Sequence, residues 1–262
     1  MLTRGNSLAH KVRPLLTRRS CCSVEIPAAR RVRSQYALTV RTSRLLRQEW
    51  ADLYDTLASS GPEAPTLCGG WTTSVLAAHV VATQKGRGIP VFLAFVTGLI
   101  AITTLGPLRP VAQRQFGRLM DHELARGYPA LLRELHRGPP LTYQFPGFAW
   151  VRLWEIWIHH EDVRRANGGS PRQSAPKVES ILWRMVAMIG ITQGRRFGSN
   201  GVVARSSNRR AIRLHCGSPE VHIVGAPGEV LLFLNGRKKT AAVQLEGPAH
   251  AVSEVAMAQL GV

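Results

Sequence analysis

Residues 154–166 read "WEIWIHHEDVRRA", and three of them could do chemistry together: Glu155, His159 and Asp162. Glu155 and His159 are four apart and Asp162 follows three later. On a helix they share one face, while His160 is turned away by about 100°. A carboxylate oxygen and an imidazole nitrogen so spaced can grip one divalent ion at about 2.0–2.2 Å. Two ligands hold a metal poorly, so a third has to come from another segment. His79, in the apolar turn "VLAAHVV", is the best candidate, because a histidine there needs a polar partner. The stripe also poses a burial problem. It shares its segment with Trp154, Ile156, Trp157 and Ile158, and charge cannot enter a core uncompensated. Either it faces water, or something cationic sits against it. Each signal is ordinary when taken singly: Glu-x-x-x-His pairs are mostly surface hydrogen bonds, and a lone histidine on an apolar face mostly belongs to a core. The two tryptophans are expected in the core rather than stacked on a ligand.

The elements that must position these residues are mostly helical. Leu45, Leu46, Trp50, Leu53, Tyr54 and Leu57 recur three and four apart and predict a helix from about Tyr36 to Ala58. "SSGPEAPTLCGGWTT" breaks it, and Thr72 or Thr73 can cap a second helix that reaches about Thr83 and carries His79. Residues 110–137 read as a helix broken near Gly127–Pro129. "RGPPLTYQFPG" is a loop, and the helix holding the acidic-histidine stripe runs from about Phe148 to Asn167. Helical spacing resumes through Val178, Ile181, Leu182, Met185 and Ile189. After about residue 197 the period changes. "GVVARSS", "AIRLHCG", "EVHIVGA" and "AAVQLEG" alternate like half-buried strands. "APGEVLLFLNGR" is a short helix with Pro227 at its start and Gly236 past its end, and 248–260 is a last short helix. The organisation expected is a basic extension over 1–35, a helical domain over 36–197 and a small α/β domain over 198–262.

The charge is +18 over 262 residues and unevenly spread. Residues 1–47 hold 11 of the 34 Lys and Arg against one acid, Glu25, which leaves 23 basic and 15 acidic residues in the remainder. Such an Arg- and Ser-rich, acid-poor tail could be a targeting segment, a nucleic-acid arm or a solvated extension, and the last is expected. Residues 1–35 contain no aromatic residue, so bases have no stacking platform and nucleic acid is not the expected partner. Four cysteines, two of them adjacent at Cys21–Cys22, form neither a disulfide framework nor a CxxC pattern, which suits reduced thiols in a cytoplasm. The uncharged run Gly88–Leu108 is long enough to cross a bilayer. Pro90, Gly98, Gly106 and Pro107 interrupt it, and a buried helix with its entry loop is expected instead of a membrane span.

Two stretches together carry a family likeness. "APTLCGGWTTSVLAAHVV", followed some 75 residues later by "WEIWIHHEDVRRA", resembles the DinB-like metal-binding superfamily. Within it the chain is most similar to the mycothiol-dependent maleylpyruvate isomerase branch and related actinobacterial metal-binding proteins. The resemblance spans about residues 42–262, including "PGEVLLFLNGRKKTAAVQLEG". It implies an antiparallel four-helix bundle followed by a small C-terminal α/β domain. It also implies a divalent metal, zinc first, with nickel and iron fitting the same donors. The ligands it implies are His79, Glu155 and His159, with water completing the shell. Asp162 matches the acid that follows the second metal histidine, and orienting that ring is the role we infer for it. Arg237, in the matching "NGR", would bind a carboxylate of the substrate or of the thiol cofactor.

The activity so implied uses mycothiol or a similar low-molecular-weight thiol and a small electrophile. In the isomerase, thiolate adds to an activated carbon–carbon double bond, the bond rotates, and the thiol is expelled; other members transfer sulfur. A non-catalytic metal-binding bundle is the alternative. This chain departs from the pattern at Gly69 and Val75, where acids are usual, and at Thr83–Gln84, where an Arg-Glu pair is common. The oligomeric state is left open.

Overall fold

The computed structural model describes residues 31–85, 109–144, 148–207 and 209–261. The basic residues 1–30 and the apolar run 88–108 lie outside the described residues. Eight α-helices and a four-stranded sheet make up the described part. No helix among the described residues is long and apolar enough to cross a membrane.

Helix α1 (Arg31–Ser60) begins five residues earlier than its apolar spacing suggests. Leu46, Trp50, Leu53 and Leu57 are all buried along one side of it. Helix α2 (Thr73–Lys85) starts where Thr72 O accepts the Leu76 N–H at 3.0 Å. Thr73 does not cap: it is buried in the first turn and its hydroxyl donates to Gly61 O. Helices α3 (Arg109–Ala125) and α4 (Tyr128–His136) flank the expected break, where Gly127 takes φ 78° and Pro129 opens α4. A 3₁₀ turn at Leu141–Gln144 lies within the expected loop. Helices α5 (Phe148–Ala166) and α6 (Pro176–Gln193) follow.

The strands are β1 (Gly201–Arg205), β2 (Ile212–His215), β3 (Glu220–Val224) and β4 (Gln244–Glu246). Helix α7 (Pro227–Leu234) comes before β4 and α8 (Ala249–Met257) after it. The spatial order is β2-β1-β3-β4, with β1 antiparallel to β2 but parallel to β3. The alternation expected of half-buried strands fails in β1, whose Gly201–Ala204 are all buried. In β3, flanked just as β1 is, the alternation holds, with Val221 and Ile223 buried and their neighbours partly exposed, so it is cover over both faces at β1 that buries its successive residues.

Two apolar cores meet along α5. Leu153 and Ile156 join Leu46, Trp50, Leu53, Leu76, Val80, Leu131 and Leu135 from α1, α2 and α4. Trp157 and Ile158 join α6, α7, α8 and the sheet. With α5 covered on two sides by apolar neighbours, its charged residues are driven inside: His160, Glu161 and Asp162 are all buried. Trp157 also sets the docking of α7, because a Cβ on Gly228 would come within 2.6 Å of Trp157 Cζ2. Only glycine permits that approach. Past the end of α7 the chain turns at Gly236 (φ 86°), with Gly236 N bonded to Phe233 O and Arg237 N to Leu232 O. This paired closure of the helix end points the next side chain, Arg237, back at α5.

Candidate metal centre

Arg152, Glu155, His159 and Asp162 are spaced three, four and three apart, so they form one ladder along α5. His79 of α2 faces its middle. His79 Nε2 lies 3.5 Å from Glu155 Oε1, and the His79 and His159 rings meet edge to face at 5.0 Å. One ligand-type atom from each of His79, Glu155 and His159 falls within 4.8 Å of the others. Two donors about 2.1 Å from a common ion at the tetrahedral angle would be about 3.4 Å apart. The His79–Glu155 spacing matches that edge and exceeds a good hydrogen bond. His79 Nδ1 is buried with no partner among the described residues. Burial holds the His79 pKa below its ordinary 6.5, although Glu155 pulls the other way. A neutral ring facing a carboxylate at this distance needs a proton or a metal ion between them, so the donor set suits a small divalent cation.

Asp162 sits behind His159. Its Oδ2 is 3.1 Å from His159 Nδ1 and takes Arg237 Nη2–H at 2.7 Å, while Arg237 Nε–H donates to Oδ1 at 2.8 Å. Burial alone would raise this carboxyl, but Arg237 and His159 outweigh it and hold the group far below the usual carboxylate range. An ionised Asp162 only accepts, so it favours a proton on His159 Nδ1, the tautomer that leaves Nε2 for an ion. The structure thus brings all five sequence-expected residues together, and Arg237's fork is engaged by Asp162 rather than left open. Burial also opposes ionisation of Glu155. Arg152, His79 and His159 nevertheless pull its pKa down from 4.5 to about 2.

Two further residues were missed in the sequence. Arg152 is buried, with Nη1 on Glu155 Oε2 and Nη2 donating to Thr83 Oγ1 at 3.1 Å. Its place three before Glu155 on the same stripe was the available signal. Cys68 donates to Asp162 Oδ2 at 3.1 Å and lies 3.2 Å from Arg237 Nη2 and 3.8 Å from His159 Nδ1. Burial first, then the Asp162 charge, pushes its pKa up to about 12, so it stays a thiol. A closed turn holds it there: Trp71 N bonds Cys68 O, and Leu67 N reaches Asp162 O at 3.1 Å. Cys68, His159 and Asp162 also cluster like metal donors, but the cation among them is the Arg237 guanidinium. Trp71 and Phe116 pack on the His79 ring at 5.1 and 5.5 Å between centroids.

No protein-family model and no curated protein matches this chain. Similar solved structures include the crystal structure of the mycothiol-dependent maleylpyruvate isomerase and that of a histidine-to-alanine mutant of it. Each shows 17% identity and a TM-score of 0.46, covering 79% of this chain and 92% of that chain.

Proposed function

We propose that this chain is a mononuclear divalent-metal protein, zinc first, that works with a mycothiol-like thiol as an isomerase or S-transferase on a small electrophile in the cytoplasm. One observation carries the reading: donor atoms of His79, Glu155 and His159, from two helices, converge within 4.8 Å. The two matching motifs add the thiol to it. We read residues 36–197 as a DinB-like four-helix bundle, 198–262 as an α/β domain that lends Arg237, and 1–35 as a basic extension.

When bound, such an ion deprotonates a coordinated thiol near neutral pH. The protein's own groups do the positioning. His79, Glu155 and His159 are the ligands, Asp162 keeps the His159 proton on Nδ1, and Arg237 with Cys68 keeps Asp162 in place. Trp71 and Phe116 shield His79 from water. A substrate or thiol carboxylate reaches Arg237 by competing with Asp162 for its fork.

Elemental analysis of protein purified without a His-tag should find about one divalent ion per chain, lost in His79→Ala. Consumption of a maleyl-type substrate should need the thiol and vanish in Glu155→Ala. Wild-type protein without stoichiometric metal would overturn the reading. A second reading, a bundle whose metal is purely structural, is favoured by the internal pairing of both site arginines, Arg152 with Glu155 and Arg237 with Asp162. Metal content is then unchanged but thiol turnover and thiol binding are absent.

A further inference from the structure

Glu155 could offer an ion one oxygen or two, and its surroundings decide which. Oε1 faces His79, whereas Oε2 is taken by Arg152 Nη1. The guanidinium that takes it is itself held by two further partners, which are bonded to each other. Its Nη2 donates to Thr83 Oγ1 at 3.1 Å, its Cζ lies over the Tyr143 ring at 4.6 Å from the centroid, and the Tyr143 hydroxyl donates to Thr83 O at 3.0 Å. The Thr83 hydroxyl is held in turn by Val80 O at 2.8 Å. Arg152 therefore cannot swing away to free the second oxygen. Its Nε is buried without a partner among the described residues, an energetic cost accepted while the two Nη groups are engaged.

We infer that Arg152 is a positioning residue that keeps Glu155 a one-oxygen ligand and thereby selects a small four-coordinate ion such as Zn²⁺ over Mn²⁺. This rests on the metal reading above. Two imidazoles and one carboxylate oxygen make three single-atom donors, the set that suits tetrahedral zinc with one position open. Mn²⁺ prefers an octahedral, oxygen-rich shell, which a two-oxygen carboxylate would help to supply. The guanidinium charge beside Glu155 also offsets the carboxylate, so the selectivity costs some general attraction for cations.

The test compares metal-free wild type, Arg152→Met and Thr83→Val, each titrated with Zn²⁺, Mn²⁺ and Co²⁺ against a chelator. Thr83→Val keeps the arginine but removes its Nη2 anchor with little change of shape, and it guards against a folding failure in Arg152→Met. Cobalt in the wild type should give the intense visible bands of a four-coordinate site. Arg152→Met should give weaker, five-coordinate bands and lose the preference for Zn²⁺ over Mn²⁺ by about tenfold or more, with Thr83→Val shifted the same way by less. A merely structural role would lower the affinity for both metals alike and leave the cobalt spectrum unchanged. That outcome overturns the inference while leaving the metal centre standing. Wild type that takes up no cobalt or zinc overturns the metal reading, and the role of Arg152 falls with it.

Discussion

Glu155 and Asp162 show how a single carboxylate is kept ionised inside a protein. On α5 Asp162 is fully buried and Glu155 partly so, and each has an arginine in contact, Arg152 for Glu155 and Arg237 for Asp162. Without those partners, burial would favour protonation, and a protonated Glu155 could not bind a cation. The ladder thus answers the burial problem posed by the sequence: the compensating charge is guanidinium. Stability should follow the same groups. The Glu155 carboxyl is more acidic folded than unfolded, at about 2 against 4.5, so the unfolded chain binds more protons in that window. Its contribution is complete above pH 4.5 and disappears as the pH falls toward 2. The shift of Asp162 has the same sign. In urea titrations of metal-free protein, the midpoint should drop across this range, and Glu155→Gln should flatten the drop. An unchanged slope in that variant would mean that Glu155 is not held ionised as described.

Helix α5 is the element on which the other parts converge. It faces one core with Leu153 and Ile156, another with Trp157 and Ile158, and a ladder of charge with the rest. Its C-terminal half is tied outward by ion pairs. Glu161 meets Arg164, Arg165 and Arg172, and Arg165 continues to Glu229 on α7 at 2.5 Å. On the side away from the ladder, His160 Nδ1 bonds Glu49 on α1 at 2.8 Å. Helix α7 docks against this frame through Gly228 and Trp157, and the docking fixes where Arg237 begins. Gly228→Ala should therefore cost about 1–3 kcal/mol through overpacking, despite the better helix propensity of alanine. Chemical denaturation would measure it, and a neutral or stabilising result would show that Trp157 moves freely. Proline and glycine marks made the ends of α4 and α7 legible beforehand. The buried state of β1 was not, because burial of successive strand residues depends on which elements pack over the two faces of the sheet.

For the whole molecule, the uneven charge separates tail from site. Six of the basic residues fall within 1–30, whereas every residue of the candidate centre lies between Cys68 and Arg237. Removing 1–30 should leave metal stoichiometry unchanged while weakening retention on a polyanion column, an attraction that added salt also screens. Loss of the metal in that truncated chain would tie the extension to the centre. Two ion pairs, Arg165–Glu229 and Arg237–Asp162, tie α7 and the turn after it to α5.

Local order was open to reading from the residues in line. Helical periods, strand alternation, capping prolines and the Glu155–His159–Asp162 stripe all follow from backbone geometry that repeats every few residues. Tertiary structure alone decided the partners: that Arg152 takes one oxygen of Glu155 and anchors on Thr83, that Arg237 turns its fork to Asp162, and that Cys68 closes the ring around it. Those contacts join segments up to 169 residues apart. A charge pair across such a distance leaves no period in the sequence, because its energy depends on burial and position, which exist only once the chain has packed.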